Sequence, residues 1–153
     1  LLSGGADASL RLWSVIDGRL LKVLEKHTNG VRVLALSGDG QTVATGDESG
    51  NLCVWRMSDW TPLRESWYGN PVLDVGLSAD GRLMAVCSTS DSKPAASLRL
   101  WRVRDGKQLQ VLLRGPVEAR TIVFSPDGGL LAAGCTDGTI RLFTRKAIPE
   151  VRQ

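Results

Sequence analysis

Leu52-Cys53-Val54-Trp55 decides the fold, because the chain repeats it. The same pattern stands at Leu10-Arg11-Leu12-Trp13, Leu98-Arg99-Leu100-Trp101 and Ile140-Arg141-Leu142-Phe143, with steps of 42, 46 and 42 residues between the aromatics. So regular a spacing marks one structural unit copied along the chain.

Working outward, a second element keeps the same period. Ser37-Gly38-Asp39-Gly40, Ser78-Ala79-Asp80-Gly81 and Ser125-Pro126-Asp127-Gly128 lie 41 and 47 residues apart, each between two short apolar runs. Asp-Gly in that setting predicts a hairpin, since glycine accepts positive φ and aspartate tolerates tight turns. Further turns follow the aromatics at Asp17-Gly18, Asp59-Trp60 and Asp105-Gly106. Each unit therefore reads as four short strands, here a to d, the first being the run before Ser-x-Asp-Gly. Runs such as Val33-Leu34-Ala35-Leu36 and Leu130-Leu131-Ala132-Ala133 are apolar at every position, which predicts sheets covered on both faces. The expectation is an all-β chain of four-stranded antiparallel blades packed around an axis, a segment of a β-propeller whose ring is incomplete. The blades are expected at 1–25 (partial), 31–67, 72–113 and 119–144 (partial), with a C-terminal tail at 145–153.

The chain resembles the WD40-repeat family over residues 1–144. The residues that carry the resemblance are Ser3-Gly4-Gly5-Ala6-Asp7 leading to Trp13, His27-Thr28-Asn29-Gly30-Val31 leading to Trp55, and Phe124-Ser125-Pro126-Asp127-Gly128 leading to Phe143. The resemblance implies a hydrogen-bonded network in each blade: a histidine before strand a, a serine or threonine in strand b, an aspartate in the b–c turn and the tryptophan of strand c. Ser3, Asp7 and Trp13 fit it in the first blade, and His27, Thr45 and Trp55 in the second, where Ser49 stands at the aspartate's place. Tyr68 takes the histidine position in the third. The fourth keeps Asp137 but has Gly115, Ala133 and Phe143 at the other places. On this reading no copy is complete. An unfinished ring would leave an apolar blade face and free strand edges in water, so the expected neighbours are further blades of a longer chain or, failing that, a second copy that completes the ring.

Composition narrows the chemistry. Nineteen basic and 16 acidic residues give a net charge of +3, a mild excess. Arg11, Arg99 and Arg141 share one phase of strand c and read as the habit of the repeat, their stems packed and their heads near water. Nucleic-acid recognition is ranked low, because the loops lack basic residues clustered with aromatics. Cys53, Cys87 and Cys135 are odd in number and without C-x-x-C spacing, so they read as small apolar residues in a reducing, cytoplasmic setting. No apolar run has the length of a membrane span. His27 is the single histidine and lacks a nucleophile in its motif; no phosphate loop or calcium loop is present. No enzyme, cofactor or metal is expected.

What remains is a surface for protein partners. In a meandering blade the d–a and b–c connections emerge at one end and the a–b and c–d turns at the other. The first end collects Asn29, Glu48, Trp67, Tyr68, Asn70, Arg120 and the serine-rich segment 88–97 with Ser90, Asp91 and Lys93, read as a surface insertion open to recognition or to phosphorylation. Trp60 lies at the other end, where sister turns carry glycine. The expected function is a non-enzymatic interaction scaffold; a sensor domain of a larger signalling enzyme (kinase or nucleotide-dependent ATPase) is the alternative.

Overall fold

The computed structural model describes residues 1–67, 70–89 and 96–144, the side chains of Trp67 and Ala96 excepted. Tyr68, Ser90, Asp91, Lys93 and the tail 145–153, singled out above, lie outside the described residues.

Among the described residues fourteen strands follow in order: β1 Leu2–Gly4, β2 Ser9–Trp13, β3 Leu20–Glu25, β4 Val31–Leu36, β5 Thr42–Asp47, β6 Asn51–Arg56, β7 Pro62–Trp67, β8 Val72–Leu77, β9 Leu83–Ser88, β10 Ala96–Arg102, β11 Lys107–Arg114, β12 Ala119–Phe124, β13 Leu130–Cys135 and β14 Ile140–Thr144. They form four antiparallel meanders, β1–β3, β4–β7, β8–β11 and β12–β14, with every strand beside its chain neighbour. The sheets meet chiefly along their first strands, β4 against β8 and β8 against β12.

The Ser-x-Asp-Gly turns explain themselves atom by atom. The hydroxyls of Ser37, Ser78 and Ser125 donate to Asp39, Asp80 and Asp127 at 2.6, 2.7 and 2.5 Å. The same carboxylates accept the N–H groups of Gln41, Arg82 and Gly129. Gly40, Gly81 and Gly128 close the turns at φ of +67°, +65° and +67°, a region costly for residues with a Cβ.

Among the described residues each core is shared between two sheets. Leu10 and Leu24 of the first sheet bury with Val43, Cys53 and Trp55 of the second. Ala44, Leu52 and Val54 of the second bury with Val72, Val75, Met84 and Val86 of the third. Ala85, Cys87, Leu98 and Leu100 of the third bury with Ile122, Phe124, Leu131 and Ala133 of the fourth. Val43 and Ala44 thus serve opposite neighbours, as do Met84 and Ala85. Strand alternation sends successive side chains to opposite faces, so β5 is buried at every position. The runs 33–36 and 130–133, expected to be covered on both faces, instead leave Leu34, Leu36 and Leu130 exposed. On the free face of the fourth sheet Ile140 and Leu142 are 75% and 64% exposed, whereas Leu98 and Leu100, at the same register two strands into the third sheet, are 0% exposed.

The segment 88–97 is narrower than its sequence implies. Ser88 closes β9 and is buried, its hydroxyl accepting from Arg99 at 3.0 Å. Ser97 lies within β10, also buried, and its hydroxyl accepts the Ala119 N–H of the next sheet at 3.3 Å. Both belong to strand ends, because pairing of β9 with β10 continues to Cys87 and Leu98.

Candidate functional site

The second blade carries the polar centre of the molecule. His27, buried before β4, has Nδ1 3.1 Å from Asp47 Oδ2 and Nε2 2.8 Å from Thr45 Oγ1. Trp55 Nε1 donates to Thr45 Oγ1 at 3.0 Å. Four residues from three chain segments are therefore tied together, and Thr45 and Asp47 are fully buried.

This corrects the sequence reading, which placed the acid of this blade at the turn position occupied by Ser49 and judged every copy incomplete. The carboxylate comes instead from Asp47, two residues after Thr45 on β5. Residues i and i+2 of a strand share a face, so both reach the same imidazole. Asp47 Oδ1 also accepts the N–H groups of Ser49 and Asn51, each at 2.9 Å, and Oδ2 accepts from Asn51 Nδ2 at 2.8 Å. Burial alone would raise the Asp47 pKa; hydrogen bonds from Asn51 and His27 outweigh it and hold the carboxyl below its ordinary value.

The other blades hold parts of this arrangement. Trp13 Nε1 donates to Ser3 Oγ at 2.8 Å. Asp7 accepts from the Ser9 hydroxyl at 2.7 Å and pairs with Arg11. Asp137 likewise accepts from the Thr139 hydroxyl at 2.6 Å and pairs with Arg141 at 3.2 Å. Arg11 and Arg141 thus clamp the b–c turns of their blades, while Arg99 reaches back to Ser88.

Around His27 the loops are stitched side chain to side chain. Asn29 Nδ2 donates to Ser49 Oγ at 3.0 Å, and Asn51 Nδ2 to Thr28 Oγ1 at 2.9 Å. Glu48 is exposed and pairs with Arg32 at 3.7 Å. Asn70 lies against this turn: a Cβ on Gly50 would stand 2.5 Å from the Asn70 carbonyl oxygen. Arg120, exposed on β12, pairs with Glu118 at 3.2 Å. Asn29, Glu48 and Asn70 therefore form one neighbourhood, with Arg120 on the fourth sheet.

Asp74 escaped the sequence reading. Its Oδ2 accepts the Thr121 hydroxyl at 2.9 Å and the Ile122 N–H at 2.8 Å, joining the third sheet to the fourth. A carboxylate inside the apolar run 72–77 was the available signal. At the opposite end Trp60 takes φ +61°, close to Gly18 at +71° and Gly106 at +65°. Its ring packs, half-buried, against the core shared by the first two sheets. A left-handed conformation costs an L-residue about 1–2 kcal/mol. Trp60→Gly should therefore be more stable than Trp60→Ala by about 1 kcal/mol in urea melts, because both lose the ring but only glycine relieves the backbone. Equal stability of the two variants would contradict this account.

Cys53 is buried, and burial first, then the charges of Glu65 and Asp47, push its thiol up to about 12; burial raises that of Cys87 as well. Neither thiol is poised as a nucleophile. Among the described residues no group of three His, Cys, Asp or Glu side chains is placed to hold a metal ion, and no helix is long and apolar enough to cross a membrane.

The family model described as "WD domain, G-beta repeat" matches residues 18–56 and 106–144. The chain is 28% identical over 151 residues to small ribosomal subunit protein RACK1y of Oryza sativa subsp. japonica, which covers 94% of this chain and 43% of that protein. It is 25% identical over 162 residues to protein ROOT INITIATION DEFECTIVE 3 of Arabidopsis thaliana, covering 98% and 36%. With apoptotic protease-activating factor 1 of Rattus norvegicus the identity is 30% over 131 residues, covering 82% of this chain and 10% of that protein. The chain thus spans less than half the length of each of these relatives. Two matched repeats, phased with the strands described above, make this chain a member of the WD40-repeat family.

Proposed function

We propose that the chain is a non-enzymatic scaffold that holds protein partners on the end where the d–a and b–c connections meet. The observation that supports this most is the set of polar loops around His27, tied to one another by side-chain hydrogen bonds while leaving Asn29, Glu48 and Arg32 exposed. Loops held in this way lose little freedom on binding, which favours recognition. Asn70 and Arg120 extend the same surface, and Trp67, the last residue of β7, with Tyr68 after it, leads the chain toward Asn70. Three free thiols suit a reducing compartment such as the cytoplasm.

The test compares affinity capture by the full-length protein with capture by a Glu48→Arg, Arg120→Glu double variant and by Lys107→Glu, a control at the opposite end. A partner that binds the double variant about tenfold more weakly and the control unchanged fits the proposal. Equal retention by all three, or equal loss in both variants, overturns it. A second reading makes the array a sensor region of a larger signalling enzyme. The likeness to apoptotic protease-activating factor 1, of which only 10% is covered, favours keeping it. Sequencing the full transcript separates the two by the presence or absence of a catalytic domain.

A further inference from the structure

Asn29 stands directly before Gly30 at the entry to β4, exposed to solvent. We propose that Asn29 is a site of spontaneous deamidation, through which the chain acquires one negative charge beside the buried His27 network.

The geometry brings the reacting groups together. The Gly30 N–H donates to Oδ1 of Asn29 itself at 2.9 Å, so the nitrogen lies against the carboxamide it would attack. The bond that ties the chain to the first sheet begins one residue later, from the Val31 N–H to the Gly5 carbonyl at 2.9 Å. Glycine at position 30 puts no Cβ in the path of attack. Loss of the Gly30 amide proton to hydroxide generates the nucleophile. Its nitrogen bonds to Asn29 Cγ, and Nδ2 leaves as ammonia, closing a five-membered succinimide. One water then opens the ring at either carbonyl, giving aspartate or isoaspartate. The sum is addition of water and release of ammonia, with no oxidant or reductant.

The chain has three asparagines, and the fold discriminates among them. Asn70 precedes Pro71, whose nitrogen carries no hydrogen to lose. Asn51 opens β6, where its side chain is held by Asp47 and Thr28, and Leu52 is paired on both sides, with Gly46 and Ser66. Only at Asn29 do an exposed carboxamide and a following glycine coincide.

The products have structural consequences. Either one removes the Nδ2 donor that meets Ser49 Oγ at 3.0 Å and adds a carboxylate beside Ser49, the residue that follows Glu48. Isoaspartate also lengthens the backbone by one carbon just before Gly30, whose position leaves a Cβ only 3.1 Å from Ala6 Cα. The modification therefore strains the seam between the first two sheets as well as changing the charge of the loop surface.

The full chain is incubated folded, and in parallel unfolded in urea, at mildly alkaline pH, with peptide mapping by mass spectrometry and fragmentation that separates isoaspartate from aspartate. The expected result is a gain of about one dalton on the peptide bearing Asn29, at a rate within about tenfold of the unfolded chain. Ammonia release should match it, with Asn51 and Asn70 unchanged in the folded protein. Asn29→Gln, verified as folded, should abolish the gain, since its cyclisation needs a larger ring. Conversion in urea alone would overturn the proposal by showing that packing of Gly30 on Ala6 locks the carboxamide. No conversion in either state, or conversion at Asn51 in the folded chain, would overturn it equally.

Discussion

Replacing Asp47 with alanine is expected to cost about 3 kcal/mol of folding stability. The carboxylate is buried and meets four nitrogens, on His27, Ser49 and Asn51, at 2.8 to 3.1 Å. Truncation leaves those groups in a site where water replaces the acceptor poorly, and an unmade buried hydrogen bond costs more than a made one contributes. Asp47→Asn should cost somewhat less, because Oδ1 can still serve the turn N–H groups while its new NH2 faces donors. The pH dependence provides a second reading. The folded Asp47 pKa is lowered, against about 3.9 in the unfolded chain, so its contribution is present above about pH 4 and fades as pH falls toward the folded value. Urea melts of the wild type and Asp47→Asn should therefore converge below about pH 4. A loss under about 1 kcal/mol for Asp47→Ala would show that another group completes the network.

Trp55→Ala is expected to be the most damaging single change, at about 4 kcal/mol. The indole is 1% exposed, fills the core between the first two sheets with Leu10, Leu24, Val43 and Cys53, and donates to Thr45. Trp55→Phe keeps much of the volume and removes the donor, so it should cost about 1–2 kcal/mol. The damage should also be local. Hydrogen exchange should speed at Leu10 and Val43, whose contacts lie in that core, and stay slow at Leu100 and Leu131, which bury in the core between the third and fourth sheets. Uniform loss of protection along the chain would contradict that localisation.

The strands were legible because each apolar run is bounded by a chemically explicit turn. The run 31–36 ends at Ser37-Gly38-Asp39-Gly40, and β4 ends there too. The runs apolar at every position misled about burial, because Leu34 and Leu36 of β4 and Leu130 of β13 are exposed and only the alternate positions of those strands pack inward. The acid of the second blade was not legible from motif spacing, because the motif puts it in the turn while Asp47 sits on the strand. The alternation that joins it to Thr45 was nevertheless open to view as Thr45-Gly46-Asp47. Trp60 showed the opposite limit: glycine in the sister turns foretold the positive φ, but nothing local foretold that the ring packs on the core shared by the first two sheets. Ser88 and Ser97 looked like loop residues because serine is common in loops, and only the pairing of β9 with β10 and the contact with β12 explain their burial.

The sharing of every core between two sheets has a thermodynamic consequence. When stability resides in contacts between neighbours, the smallest piece that can fold is a pair of sheets, not one. Cooperativity then behaves like that of a one-dimensional lattice, in which each sheet is stabilised by the state of those beside it. A perturbation at one seam decays with each seam it must cross. Asp74, bridging the third and fourth sheets by hydrogen bonds as well as apolar contact, strengthens the coupling at one link and so sets how far along the array such a disturbance travels.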